Sequence, residues 1–260
     1  TQSKGERMQN RRQTRKEKIT DSPKGRKVRE KFAEEKKLPP IVAKTDKQKQ
    51  YLSMLNDPNI QMIICLGLHG VGKSFLSATV AADMYLANKI TKIIVARPYV
   101  QTGKSSGLKP GTGLEKLYPY VRNVLDPIRK RLGGPAFDIA LADGQKGSIE
   151  VQELESIRGR SFDERSFLLL EESQQSTPEE MLAVITRVSD ECKIIISGDL
   201  NQRDGKGESG LKWVLDFVKR HKIKGVGIVN FDSPEDIVRG GLVKDIAIGL
   251  MKEGQLRNNK

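Results

Sequence analysis

Eight residues, Gly67 to Ser74, constrain the fold of this chain more than any other segment. They read Gly-Leu-His-Gly-Val-Gly-Lys-Ser and satisfy the pattern G-x-x-x-x-G-K-[ST] of a phosphate-binding loop, or P-loop. An apolar run at 60–66 precedes the loop, and a helical run follows it to about residue 88. Gly67, Gly70 and Gly72 allow successive backbone N–H groups to turn inward around a phosphate, and the start of the helix adds positive potential. The segment therefore predicts a nucleotide-binding strand, loop and helix.

Three side chains of this loop have polar groups. Lys73 is expected to reach the β- and γ-phosphates of the nucleotide, and the Ser74 hydroxyl is expected to bind Mg²⁺. His69 lies between them and the strand, and no ligand or general-base role is predicted for it.

Further apolar runs alternate with helical stretches along the rest of the chain. They lie at 92–96, 166–170, 192–196 and 226–230. Continuous apolar strands separated by helices indicate a parallel sheet that is covered on both faces. We therefore predict a three-layer α/β fold, a P-loop NTPase domain with a mainly parallel sheet.

Two carboxylates follow the apolar run at 166–170. Since ligands of open α/β sheets bind at the carboxyl ends of strands, Glu171 and Glu172 are expected beside the phosphate site. Glu171 would hold the Mg²⁺ shell and Glu172 would activate a water molecule. The alternative is that both merely open a polar loop. The residues from Thr177 to Glu180 form a capping-box pattern and predict a new helix after that loop.

The next strand ends in a similar way. Residues 197–202 read Ser-Gly-Asp-Leu-Asn-Gln, and an amide at this position can sense a γ-phosphate through a hydrogen bond. Gln202 is the candidate. The G-D-x-x-Q string is weak alone, but after a P-loop and an acidic strand it is typical of helicase-like ATPases.

The charge of the chain is strongly basic and unevenly placed. Lys and Arg number 46 against 33 Asp and Glu, a net charge of +13, and residues 1–40 alone carry 14 basic and 6 acidic side chains. The low apolar content of this segment predicts a disordered basic arm at 1–38. The motifs described above then place one ATPase domain at 39–260. The arm would attract the phosphate backbone of a nucleic acid. The alternative is a tail that only aids solubility.

Composition excludes several other classes of protein. No apolar run approaches the length of a membrane span, and no leader of the secretory type opens the sequence. The two cysteines lie in apolar runs, which argues against a disulfide scaffold or a cysteine-based zinc site. We expect a cytoplasmic protein, of a bacterial or a virus-infected cell, without a membrane partner.

From residue 40 onward the motifs resemble those of the PhoH-like ATPases, a family named for phosphate-starvation induction and related to the RecA-like core of superfamily-one helicases. The matching segments, in chain order, are Arg97-Pro98, 103–111 with Glu115-Lys116, 157–162, Gln174 with 177–181, Thr186-Arg187, 209–211 and 236–239.

The resemblance implies a RecA-like domain that binds and hydrolyses ATP with Mg²⁺, and we expect it to carry out helicase-like remodelling of RNA or single-stranded DNA. It further implies that Gln174 belongs to the nucleotide site and that identical subunits form a ring, which we expect to be a hexamer. Gln48 matches the glutamine that reads adenine in the family, with Gln50 as the second choice; the alternative is that both lie on an exposed helix without this role. About 220 residues follow the arm, enough for one such domain, so we expect an arginine finger from a neighbouring subunit. Arg239 is the leading candidate, with Arg158 and Arg160 as the others.

Two positions depart from the family pattern. Glu171 stands where the family has Asp, and Thr112 stands where it has a second Asp. The longer Glu171 side chain favours slow turnover or an altered metal preference. A second hypothesis, from a different functional class, is a slow ATP-dependent switch or assembly protein that binds a protein partner and does not unwind nucleic acid. The low aromatic content, 5%, slightly favours it because few rings are available to stack on bases.

Overall fold

The computed structural model describes residues 38–98, 113–141, 147–159, 162, 165–203 and 206–253, without the side chains of 113–116 and 158–159. Seven helices and six strands lie in these ranges, together with short 3₁₀ helices at Leu154–Gly159, Ser173–Gln175 and Pro234–Asp236. In chain order they are α1 (Asp46–Asn56), β1 (Met62–Gly67), α2 (Lys73–Leu86), β2 (Lys92–Arg97), α3 (Gly113–Leu132), α4 (Gly134–Ala140), β3 (Ile149–Glu153), β4 (Ser166–Leu170), α5 (Pro178–Ile185), β5 (Cys192–Gly198), α6 (Gly210–His221), β6 (Val226–Phe231) and α7 (Gly241–Lys252). Residues 1–37 of the basic arm lie outside the described ranges.

The six strands form one sheet in the order β3-β2-β4-β5-β1-β6. Every neighbouring pair is parallel, with Ile64 opposite Ile196 and Leu168 opposite Ile194 in the centre of the sheet. The predicted parallel α/β sheet is therefore confirmed.

One strand, β3, was not expected from the sequence. It pairs with β2 at the edge of the sheet, and its sequence Ile-Glu-Val-Gln-Glu is not apolar throughout. Glu150 of β3 is fully buried, and its carboxylate oxygen Oε1 forms an ion pair with the Lys92 ammonium of β2 at 2.8 Å. Because this pairing satisfies a buried charge, a strand with a glutamate in its centre is tolerated there.

Helices cover both faces of the sheet, so the predicted three layers are also confirmed. Alternate strand residues such as Ile63 and Ile195 face α1, α2 and α3, whereas Ile64 and Ile196 face α5 and α6. Burial on both sides explains why β1, β4 and β5 read as continuous apolar runs. None of the helices in the described parts of the chain combines the length and the apolar content that a transmembrane span requires.

The order of the strands determines where the polar loops meet. β4, β5 and β1 are neighbours and run in the same direction. The loops that follow them therefore come together at one edge of the sheet. The loop after β4 ends at the predicted capping box, in which the N–H of Glu180 donates to Thr177 Oγ1 at 3.2 Å and the N–H of Thr177 donates to the Glu180 carboxylate at 2.9 Å.

Candidate nucleotide-binding site

The loop between β1 and α2 has the backbone conformation that its glycines permit. Gly67, Gly70 and Gly72 all have positive φ angles, of 134°, 82° and 89°. A Cβ atom at Gly67 would lie 2.4 Å from the carbonyl oxygen of Phe231 on β6. Glycine is therefore required at position 67 both for the turn and for the close approach of β6. Gly72 is the N-cap of α2, whose first turn faces the inside of the loop.

Lys73 folds back over this loop. Its ammonium donates to the carbonyl oxygens of Gly67 and of Leu68, the second at 2.8 Å. Burial lowers the pKa of Lys73, while the nearby carboxylates of Asp199 and Glu171 oppose that shift. The loop thus contains a desolvated cation held by two carbonyl groups, which a phosphate can replace as acceptors.

Ser74 and Glu171 meet in the wall of the site. The Ser74 hydroxyl donates to Glu171 Oε2 at 2.6 Å, and the amide of Asn123 on α3 lies 3.4 Å from the same oxygen. Glu171 is 5% exposed, and its Oε1 has no hydrogen-bond partner among the described residues. Burial raises the pKa of Glu171, and the adjacent Glu172 carboxylate adds to the shift, whereas the Ser74 hydrogen bond lowers it.

Glu172 has a backbone conformation that is rare for residues other than glycine, with φ 52° and ψ 36°. Its half-buried side chain accepts a hydrogen bond of 2.7 Å from the amide of Gln174. The other end of that amide, Gln174 Oε1, accepts from the N–H of Asp199 at 3.2 Å. Gln174 is 1% exposed and lies behind the two acidic loops, not in the wall of the cavity, so its nucleotide contact stays a prediction.

Gln202 connects the loop after β5 with the P-loop. Its Nε2 donates to Asp199 Oδ2 at 2.7 Å, and its Oε1 is hydrogen-bonded to Nε2 of His69. Since a carboxylate only accepts, Asp199 sets the orientation of the amide, and His69 must donate through Nε2–H. His69, which had no predicted role, thus holds the predicted sensor residue against the P-loop.

Two further residues flank the P-loop on its other side. The Gln48 amide donates to the carbonyl oxygen of Val71 at 2.8 Å and accepts from the N–H of Lys44 at 2.7 Å, and the side chain is 3% exposed. The backbone N–H of Arg239 donates to the carbonyl oxygen of Gly70 at 3.3 Å, and its side chain is exposed. Arg239 therefore lies beside the P-loop of its own chain.

These loops enclose a cavity of about 700 Å³, a volume suited to a small-molecule ligand. Most of the predicted site residues line it, namely Gln48, Gly70, Gly72, Lys73, Ser74, Glu171, Glu172 and Arg239. Gly67, Gln174 and Gln202 lie behind its wall. A more open cavity of about 960 Å³ beside α1 contains none of them, and two of its three charged residues, Asp83 and Arg131, pair with each other at 2.7 Å.

The cavity also contains residues that the motifs did not identify. Tyr120 and Asn123 reach it from α3, and Asp199 lines it at the end of β5. The string around Gln202 included Asp199 without a role, and nothing near Tyr120 or Asn123 in the sequence indicates a site. The predicted segment 103–111, Thr112, Arg160 and the side chain of Arg158 lie outside the described residues.

Comparisons with known proteins identify the family of this chain. The family model described as PhoH-like protein matches residues 40–249. The chain is 34% identical to Protein PhoH of Escherichia coli K12 over 205 residues, which are 78% of this chain and 56% of that protein. It is 32% identical to a PhoH-like protein of Bacillus subtilis 168 over 232 residues (88% and 66%) and 31% identical to one of Synechocystis over 208 residues (79% and 61%). The matches thus span between about half and two thirds of these relatives. By both comparisons the chain belongs to the PhoH-like protein family.

Proposed function

We propose that this chain binds ATP with Mg²⁺ at the P-loop and hydrolyses it. The observation that carries the proposal is the hydrogen bond of 2.6 Å between Ser74 and Glu171 in the wall of the cavity. It joins the two residues that the motifs assign to the metal, one on α2 and one after β4.

The side chains fit a hard divalent cation. Glu171 Oε1 is buried without a hydrogen-bond partner among the described residues, and Ser74 Oγ lies 2.6 Å from the other carboxylate oxygen. Mg²⁺ prefers oxygen ligands of this kind and usually keeps several waters. Ser74 and Glu171 would hold the ion, which when bound neutralises charge on the β- and γ-phosphates.

The other residues of the cavity have complementary roles in this proposal. Lys73 exchanges the two carbonyl groups for phosphate oxygens, and the N–H groups of the P-loop donate to the same phosphates. Glu172 accepts a proton from the attacking water, because it faces the cavity and Gln174 fixes one of its oxygens. Gln202 reports the presence of the γ-phosphate through the bond that it makes with His69 on the P-loop.

We further propose that identical subunits form a ring, with six subunits expected, and that an arginine acts across the subunit boundary. Arg239 contacts the P-loop of its own chain through the backbone, and its side chain lines the same cavity. Its position favours action on the nucleotide of its own subunit. Arg158 and Arg160 are then the candidates for action across the boundary.

The polymer on which such an ATPase acts is proposed to be RNA or single-stranded DNA, in the cytoplasm. The net charge of +13 supports this proposal, since phosphate backbones bind basic proteins with release of counterions. The test is the steady-state ATPase rate of the full chain with and without a homopolymer of RNA or of single-stranded DNA. Stimulation by either polymer supports the proposal, and an unchanged rate contradicts it.

One observation favours the second candidate function, a slow ATP-dependent switch that binds a protein partner. Glu171 is longer than the Asp of the family pattern, and it already bonds directly to Ser74. A metal ion that binds between Ser74 Oγ and Glu171 Oε2 would require the Glu171 carboxylate to move, and this movement would slow each turnover. A low ATPase rate that nucleic acid does not alter would support this candidate over the first.

A further inference from the structure

One side of α6, next to the face that packs on the sheet, contains a ladder of three rings. The helix buries Leu211, Val214, Leu215 and Val218 against the sheet. On another side, Trp213 stacks on Phe217 with ring centroids 5.5 Å apart and an angle of 23° between the planes. Phe217 in turn contacts the ring of His221 at 4.7 Å. Because the three rings are four residues apart, they form a continuous line along the helix.

The ladder is open to solvent. Phe217 is 36% exposed, Trp213 is half-buried and His221 is exposed at the last residue of α6. Exposed apolar patches that are contiguous and rimmed by polar side chains mark interaction sites more often than single exposed residues do. The rings of this chain are few, and three of them are concentrated here.

The surroundings of the ladder are basic. Residues 212–224 contain five Lys and Arg side chains and one carboxylate, Asp216, which pairs with Lys212 at 2.9 Å. Arg220 follows Trp213 by two helical turns and so lies on the side of the rings, whereas Lys219 lies on the opposite side. Neither Lys219 nor Arg220 forms an ion pair within the described ranges.

We propose that this face of α6, formed by Trp213, Phe217, Arg220 and His221, binds single-stranded nucleic acid. Bases stack on the ring ladder, and Arg220 contacts the phosphate backbone. Aromatic rings beside basic side chains are the combination by which proteins hold single strands without sequence preference. A protein partner that used the same rings would meet an excess of positive charge. The inference rests on the proposed function, of which it names the polymer-binding surface.

The face is also connected to the proposed catalytic loop. Ser209, the N-cap of α6, donates from its hydroxyl to the carbonyl oxygen of Gln174 at 3.0 Å. The amide of Gln174 holds Glu172. A nucleic-acid strand that is bound along α6 would therefore contact the helix whose N-cap, Ser209, supports the loop that contains Glu172.

Trp213 is the only tryptophan of the chain, so its fluorescence reports on this face and on no other. The full chain is titrated with a 12-nucleotide oligoadenylate of RNA and, separately, with the same length of oligodeoxyadenylate. We expect the oligonucleotide to quench the emission of Trp213. The quenching curve should coincide with the binding curve measured by the anisotropy of a labelled oligonucleotide. If both oligonucleotides quench the emission, the proposal holds for single-stranded RNA and DNA alike. If only the RNA oligonucleotide does, the proposal holds for RNA.

Substitutions then test each part of the face. Phe217→Ala and His221→Ala are each expected to raise the dissociation constant by about fivefold to a hundredfold, as the loss of one stacked base does. Phe217→Leu keeps the apolar packing and removes only the ring, so it replaces Phe217→Ala if that variant unfolds. Arg220→Gln is expected to reduce the slope of log K against log salt by about 0.7. Lys219→Gln is the matched control, and it leaves that slope unchanged.

Several results would overturn the inference. The first is oligonucleotide binding, seen by anisotropy, that leaves the emission of Trp213 unchanged. The second is equal quenching by inorganic polyphosphate, which has charge and no bases. The third is an equal effect of Arg220→Gln and Lys219→Gln. A wild-type chain that binds neither strand would contradict the nucleic-acid part of the proposed function as well, whereas normal binding that the α6 variants do not alter contradicts only this inference.

Discussion

The Ser74 hydroxyl and the Glu171 carboxylate, 97 residues apart in the chain, are joined by a hydrogen bond of 2.6 Å. The pairing of β1 with β5 and of β5 with β4 brings them together, since α2 follows β1 and Glu171 follows β4. A P-loop without this contact could bind phosphate alone. With it, the proposed site would offer two oxygens to a metal ion beside the phosphates.

Replacement of Lys73 by Ala is expected to weaken ATP binding by about tenfold to a hundredfold, because the phosphates lose a charged hydrogen-bond donor. A titration with a fluorescent ATP analogue measures the affinity. Lys89→Ala, an exposed lysine after α2, is the control and keeps the affinity of the wild type. Unchanged affinity in Lys73→Ala would contradict the phosphate-loop assignment.

Replacement of Glu172 by Gln is expected to leave ATP binding intact and to slow hydrolysis by about two to four orders of magnitude, since the amide cannot accept the proton of the water. Single-turnover hydrolysis and an ATP titration separate the two effects. If Glu172→Gln turns over normally and Glu171→Gln does not, the roles of the two carboxylates are reversed.

Replacement of Glu171 by Gln is expected to stabilise the protein in the absence of Mg²⁺. Burial raises the pKa of Glu171 from its usual 4.5, so the folded state retains the proton better than the unfolded state does. Stability in wild type therefore falls as the pH rises from about 4.5 through the raised pKa of the folded state.

Thermal melts of the metal-free protein across that pH range measure this effect. Glu171→Gln should lack the fall, and Mg²⁺ with ATP should raise its melting temperature less than that of wild type. Glu191→Gln, an exposed site, is the control and should behave as wild type. If the stability of wild type instead changes with pH in the same way as that of Glu171→Gln, burial does not destabilise the Glu171 carboxylate.

Deletion of residues 1–38 is expected to leave the ATPase rate and the melting temperature nearly unchanged. The carbonyl oxygen of Pro39, which accepts from Arg131 at 2.7 Å, is retained in this variant. The affinity for RNA or single-stranded DNA should fall, and its dependence on salt should become weaker because fewer phosphates are neutralised. An unaltered salt slope would show that the arm is a solubilising tail.

Mixed assemblies test the arginine across the subunit boundary. Neither Glu172→Gln nor Arg158→Ala subunits should hydrolyse ATP alone, whereas their mixture should regain activity at boundaries that combine one intact Glu172 with one intact arginine. Arg160→Ala is tested in the same way. Arg239→Ala should give no recovery, since this side chain lines the cavity of its own subunit. A wild-type ATPase whose rate per subunit is unchanged on dilution to the monomer would contradict the ring.

The sequence by itself determined the local parts of the site. The P-loop, the two acids after β4 and the capping box at Thr177 each depend on a few adjacent residues, whose backbone and side-chain chemistry needs no distant partner. The central strands were predictable for a similar reason, because burial on both faces leaves a continuous apolar run.

The tertiary structure decided which of these parts touch. β3 was not predicted because the buried charge of Glu150 is paired with Lys92 on the neighbouring strand, and its carboxylate also accepts from the amide of Gln152. The bond between His69 and Gln202 joins residues 133 positions apart, and no pattern in either segment indicates it. Asn123 reaches Glu171 only because α3 packs beside α2. Contacts of this kind depend on the order of strands in the sheet, and that order follows from the packing of the whole domain, since each parallel crossover is compatible with several positions of the next strand.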